Sequence, residues 1–132
     1  MGYESKVFVI ERNEVVPLNG MPRFVYGSEI ARFDLCKMGY DMVDGRMFSS
    51  IFDVPIDFNL YAPLEEVGET QEDMYGAHCG MTSVESVIEW LENAPEDMRT
   101  YRRAALFLDF LYALRAREHE YDGEIVLVHY GY

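Results

Sequence analysis

The side chains most able to do chemistry in this 132-residue chain are carboxylates. Between Met47 and Met98 stand Asp53, Asp57, Glu65, Glu66, Glu69, Glu72, Asp73, Glu85, Glu89, Glu92, Glu96 and Asp97, with no Lys or Arg among them. All eleven basic residues fall outside that stretch: Lys6, Arg12, Arg23, Arg32, Lys37 and Arg46 before it, Arg99, Arg102, Arg103, Arg115 and Arg117 after it. These twelve acids thus account for about the whole formal net charge of −13. Self-repulsion on that scale costs stability, and it is tolerated for solubility or for attraction of a positive partner.

Glu85, Glu89, Glu92 and Glu96 fall at i, i+4, i+7 and i+11, so a helix carried through to Glu96 would align them in one stripe opposite its apolar face. At a rise of about 1.5 Å per residue, neighbours in the stripe stand roughly 4.5–6 Å apart. Duplex DNA presents one charge per about 3.4 Å along each strand. With Glu65, Glu66, Glu69, Glu72 and Asp73 from the preceding segment, the stripe reads as a sparser imitation of a phosphate row. Such a surface would block a protein that grips nucleic acid through Lys and Arg. The competing reading is a solvated helix face beside an acidic loop, both serving only solubility. A neutral solvated face interleaves Lys and Arg, and their absence here is what favours docking.

Other chemistries find less support. No Asp-x-Asp-x-Asp-Gly spacing offers an EF-hand. His78, Cys79, His119, His129 and Cys36 contain no Cys-x-x-Cys or His-x-x-x-His pair, so neither a metal nor any other cofactor is expected. Ser83 and Ser86 belong to a helix start, and no Gly-x-Ser-x-Gly elbow is present. His129, between Val128 and Tyr130, reads as a packed or edge histidine of a strand. Gly27, Gly39 and Gly45 lie in no phosphate-binding pattern. A non-enzymatic protein is therefore expected. The charge also argues against direct contact with nucleic acid or an anionic membrane, since no basic footprint exists to release counterions.

The length suits a single domain, residues 1–132, able to bury a core without staples. A hydrophobic content of 49% and an aromatic content of 14% exclude a disordered acidic tail. Two cysteines make no disulfide framework, and the start lacks the basic end and apolar run of a signal peptide. Position 6 is Lys6, which breaks the myristoylation pattern. The longest nearly uncharged run, Ala104 to Leu114, is interrupted by Asp109 and too short to span a bilayer. These features predict a soluble protein of a reducing compartment.

The elements that must position the acids follow from patterning. Tyr3 to Ile10 is β-branched and aromatic and predicts a strand that breaks at Glu11-Arg12-Asn13-Glu14. Val15 to Phe24, with Pro17, Asn19-Gly20 and Pro22, predicts a loop. Alternation within Tyr26–Met38 favours a strand over a helix, Gly39 to Ser50 reads as a connector, and Ile56 to Ala62 alternates as a third strand. Leu64 to Gly80 is an acidic loop. Thr82-Ser83-Val84-Glu85 fits a capping box, with Thr82 as N-cap and Glu85 at N3. The helix it opens carries Val84, Val87, Ile88 and Leu91 on one face.

Asn93-Ala94-Pro95 ends that helix, and Pro95 opens a second one predicted from Glu96 to about Arg117. Its acids come first and its arginines last, matching the helix dipole. Arg99 and Arg103 are i, i+4 neighbours, and Glu96 and Asp97 are expected to pair with them or with Tyr101 and Arg102 nearby, as intrahelical ion pairs. Its middle, Ala104–Leu114, is apolar nearly all round. Such a helix is central to the core or shared with a second subunit, and the core reading comes first. Leu106 and Phe110 oppose Leu108 and Leu111 on the helical wheel, so one pair needs a second partner surface, and a homodimer through residues 104–114 is the secondary reading. Asp122-Gly123 turns the chain into a last strand, Glu124 to Tyr130. The order β-β-β-α-α-β predicts an α+β fold: a mainly antiparallel sheet of about four strands with a helix pair on one face.

The opening Met-Gly-Tyr-Glu-Ser-Lys-Val-Phe-Val-Ile-Glu, the segment Ala31-Arg32-Phe33-Asp34-Leu35-Cys36-Lys37, the pair Tyr75-Gly76 and the close Leu127-Val128-His129-Tyr130-Gly131-Tyr132 together resemble small acidic proteins of phages and prophages of Firmicutes. That resemblance spans most of the chain and carries no assigned chemistry. It implies a bacterial cytoplasm as the setting. Small acidic phage proteins include inhibitors of host enzymes and of host defence, anti-CRISPR proteins among them. The expected partner is thus a basic nucleic-acid-binding host protein, with a CRISPR effector nuclease as one form of it. A dimeric phage regulatory or scaffold module with a merely solubilising acidic face is the alternative, and a small enzyme of unidentified chemistry stands third.

Overall fold

Val7-Phe8-Val9-Ile10 and Ile125-Val126-Leu127-Val128 are short apolar runs buried on both sides, as central strands require. They sit in β1 (Ser5–Val15) and in the last strand, whose register pairs Val7 with His129 and Val9 with Leu127. The computed structural model describes residues 5–15, 23–25, 29–55, 79–99 and 101–131. In chain order the further elements are β2 (Arg23–Val25), β3 (Glu29–Asp34), β4 (Met42–Val43), β5 (Arg46–Met47), β6 (Val54–Pro55), β7 (Gly80–Thr82), α1 (Val84–Glu92), α2 (Glu96–Arg99), α3 (Arg102–Arg117) and β8 (Glu124–Gly131). The main sheet runs β3–β1–β8–β7–β6, every neighbouring pair antiparallel, and β2 pairs with the far end of β1. The α+β architecture expected from the sequence is the one observed, with more strands than the four anticipated.

Strand alternation assigns the two faces of the sheet. Val7 and Val9 of β1 and Ile125 and Leu127 of β8 join the large core with the helices. Phe8, Ile10, Val126 and Val128 turn the other way and cluster with Cys79 and Met81. From α1 the core receives Val84, Val87, Ile88, Trp90 and Leu91; from α3 it receives Ala104, Phe107, Leu111 and Leu114. The predicted apolar face of α1 is thus the buried one, widened by Trp90. The Trp90 ring packs against Phe48 at 4.9 Å between centroids, and its indole Nε1 donates to the Arg46 carbonyl at 3.0 Å. β4 and β5 form a small hairpin turned by Asp44 and Gly45, both with positive φ, which the Asp-Gly pair accommodates.

Several boundaries differ from expectation, each for an identifiable reason. β1 does not break at Glu11 but continues to Val15. The Glu11 carboxylate accepts from the Gly123 amide, and Arg12 bonds Glu124 opposite it on β8, so the charges are satisfied within the ladder. The loop expected over Val15–Phe24 contains the start of β2. The strand expected over Tyr26–Met38 spans Glu29–Asp34 and gives way to a 3-10 turn at Cys36–Tyr40. Gly80 belongs to β7 rather than to a loop. The third strand expected at Ile56–Ala62 lies outside the described residues.

The helix starts also move. The N-cap of α1 is Ser83, whose Oγ accepts from the Ser86 amide at 3.1 Å. Thr82 cannot take that role because it is held in the β7–β8 ladder opposite Leu127. The expected second helix is two: Tyr101, in extended conformation, separates α2 from α3. Arg103 therefore makes no intrahelical pair with Glu96 or Asp97. It reaches β3 instead, where its Nη1 donates to the Asp34 carbonyl at 2.8 Å and lies 3.7 Å from that residue's carboxylate.

Candidate functional site: the outer face of α1

The described acids of the expected docking stripe are brought only partly together. Glu85, Glu89 and Glu92 share the solvent face of α1, opposite the buried stripe. Glu96 does not extend it. The helix ends at Glu92, the chain turns through Asn93–Pro95, and Glu96 opens α2. Glu65, Glu66, Glu69, Glu72 and Asp73 lie outside the described residues.

Segregation along the chain does not survive folding. Arg46, carried by the β4–β5 hairpin, brings its guanidinium 4.0 Å from Glu89, and Arg115, near the end of α3, lies 3.4 Å from Glu85. Tyr112, one turn before Arg115, donates its hydroxyl to Glu92 at 2.7 Å. That hydrogen bond, with some burial and the negative charge of Glu92, raises the Tyr112 pKa above the ordinary tyrosine value. Glu118, just past α3, has its carboxyl pKa raised by burial and then by the charge of Glu85, with Arg115 working against both. The sequence offered no signal for these long-range neighbours, because residues 46, 112 and 115 meet α1 only through tertiary packing.

The pairs leave the carboxylates usable. Glu85 and Glu89 keep 66% and 68% of their side-chain surface in water, and Arg115 and Arg46 keep 42% and 53%. Exposed ion pairs at such distances contribute about 0–1 kcal/mol, so an incoming Lys or Arg can exchange for Arg46 or Arg115 at little cost. The face is thus a row of three accessible acids flanked by two displaceable cations.

A second concave feature sits away from this face. A cavity of about 440 Å³ opens between the Cys36–Tyr40 turn, α2 and the start of α3, with Asp41, Asp97, Lys37 and Arg103 among its polar wall. Sequence reading missed it, since its walls are distant in the chain. The one local trace is Cys36, a non-glycine residue at φ 54°, whose amide donates to the Asp34 carboxylate at 3.1 Å and redirects the chain after β3.

The other residues singled out from the sequence are accounted for by packing. His129 is buried, with Nε2 at 2.8 Å from the Ser5 hydroxyl and its ring against Phe48 and Phe52. Both cysteines are free thiols. Among the described residues no three His, Cys, Asp or Glu side chains gather as a metal site, and no helix is long and apolar enough to cross a membrane. No family model, curated protein or solved structure matches the chain.

Proposed function

We propose that this protein is a non-enzymatic inhibitor that lays the acidic face of α1 on a basic, nucleic-acid-binding surface of a host protein. In the phage setting implied by the sequence resemblance, that host protein is a defence nuclease of the CRISPR effector type. The observation carrying the proposal is the row Glu85, Glu89 and Glu92 on the exposed side of one helix, in a chain of net charge −13. Its i, i+4, i+7 spacing is carried by one helix, so the backbone positions of the three charges are set before docking.

The test is capture from a bacterial host lysate at low and at high salt, followed by binding of the captured protein to charge-reversed E85K/E89K/E92K and charge-neutral E85Q/E89Q/E92Q variants. A nucleic-acid mimic loses its partner steeply as salt rises, and the reversed variant loses it altogether while circular dichroism remains native. Retained capture by a folded reversed variant rejects the proposal.

One observation favours the alternative. Leu106 on α3 keeps 67% of its surface exposed, a large apolar side chain of the kind a regulatory or scaffold dimer would cover. Association through that helix would hold at high salt and be lost in Leu106→Glu.

A further inference from the structure

We propose that the cavity between the Cys36–Tyr40 turn and the start of α3 binds an organic cation, an alkylguanidinium or alkylammonium group, with its charge on Asp41 and its stem along Met38 and Met98. The volume of about 440 Å³ lies within the range of roughly 300–1,000 Å³ common to ligand sites. The apolar part of the wall comes from Leu35, Met38, Met98 and Ala104. Two thioether chains give a surface that adapts to an alkyl stem.

The polar wall decides the sign of the ligand. Asp41 is half-buried, and among the described residues no donor reaches its carboxylate. Its backbone is engaged, the amide with the Met38 carbonyl and the carbonyl with the Phe48 amide, but the side chain is left to the cavity. Burial raises its pKa, and the charge of Lys37 offsets only part of that, so the carboxylate would gain from a closer cation. The cavity's other charges are committed. Arg103 is held by Asp34, and the Asp97 carboxylate caps the Met98 amide at 3.0 Å. Lys37 has an interaction of its own. Tyr101, 59% exposed on the wall, offers a ring over which a cation can settle. The strongly negative field of the whole protein raises the local concentration of cations.

The same group can arrive as a free amine or guanidine, or at the tip of a polypeptide's Lys or Arg. Titration with butylguanidinium and butylammonium, followed by amide chemical shifts across residues 35–41 and 97–104, tests the site. Neutral butylurea is the control, and the blocked tripeptide acetyl-Gly-Arg-Gly-amide reports the polypeptide source. The expected result is saturable shifts with both cations and none with butylurea. Asp41→Asn should weaken binding at least tenfold, with unfolding unchanged because only the unbonded side chain is altered. Tighter binding of the tripeptide assigns the site to a polypeptide partner; tighter binding of the free cations assigns it to a small molecule. Shifts that do not saturate, equal shifts with butylurea, or full binding by Asp41→Asn overturn the proposal. Asp41→Asn does not touch α1, so the inhibitor reading and the cavity stand or fall separately.

Discussion

Helices α1 and α3 solve the same packing problem from opposite starting points. α1 is divided cleanly, with five residues buried against the core and Glu85, Glu89 and Glu92 in water. The middle of α3, Ala104–Leu114, is apolar nearly all round, yet only Ala104, Phe107, Leu111 and Leu114 are buried. Phe110 is half-covered by Phe33 of β3 at 5.1 Å between ring centroids, within its own chain, and the same ring meets Phe107 at 4.9 Å. One aromatic side chain from the sheet therefore packs across the i, i+3 neighbours Phe107 and Phe110 and leaves Leu106 as the helix's large exposed apolar residue. A strict stripe fixes how a helix lies; an apolar belt leaves that to its neighbours.

The comparison can be broken or sharpened by substitution. Trp90→Ala removes a fully buried ring, its contact with Phe48 and its hydrogen bond to the Arg46 carbonyl, and should cost about 3–5 kcal/mol in urea unfolding. Phe110→Ala on the belt should cost less than half as much, because its ring is already part-solvated. Equal losses would mean the belt is as tightly held as the stripe. Ser83→Ala deletes the cap of α1 and should cost about 1 kcal/mol, whereas Thr82→Ser should leave helix content unchanged. Leu106→Gln should stay within about 0.5 kcal/mol in dilute solution. A larger loss, growing with protein concentration, would reveal a second copy covering that side of α3.

What could be read from the sequence follows the same division. Period-2 and period-3.6 patterns located the β1 core, β3, α1 and β8, because each buries a regular set of side chains. The α2–α3 break escaped notice since every residue from Glu96 to Arg117 suits a helix. The contacts that accompany the start of α3, Arg103 with Asp34 and Phe107 with Phe33, join residues some seventy positions apart and leave no local pattern. Two-residue strands such as β6 are too short to leave a pattern. Of the four acids expected in one stripe, Glu85, Glu89 and Glu92 share a helix face and Glu96 does not; the approach of Arg46 and Arg115 was not legible, because attraction between distant segments has no periodicity. The cavity was invisible for the same reason.

At position 80 a Cβ would fall 1.9 Å from the Phe52 carbonyl oxygen and 2.8 Å from its carbon, so no alanine fits there without prising β6 from β7. A substitution elsewhere can be absorbed by rotating a side chain, whereas here the obstacle is backbone and only glycine fits. Descendants and cousins of this chain, however far their surfaces drift, should therefore be recognisable by an invariant glycine three residues before the α1 N-cap, Ser83.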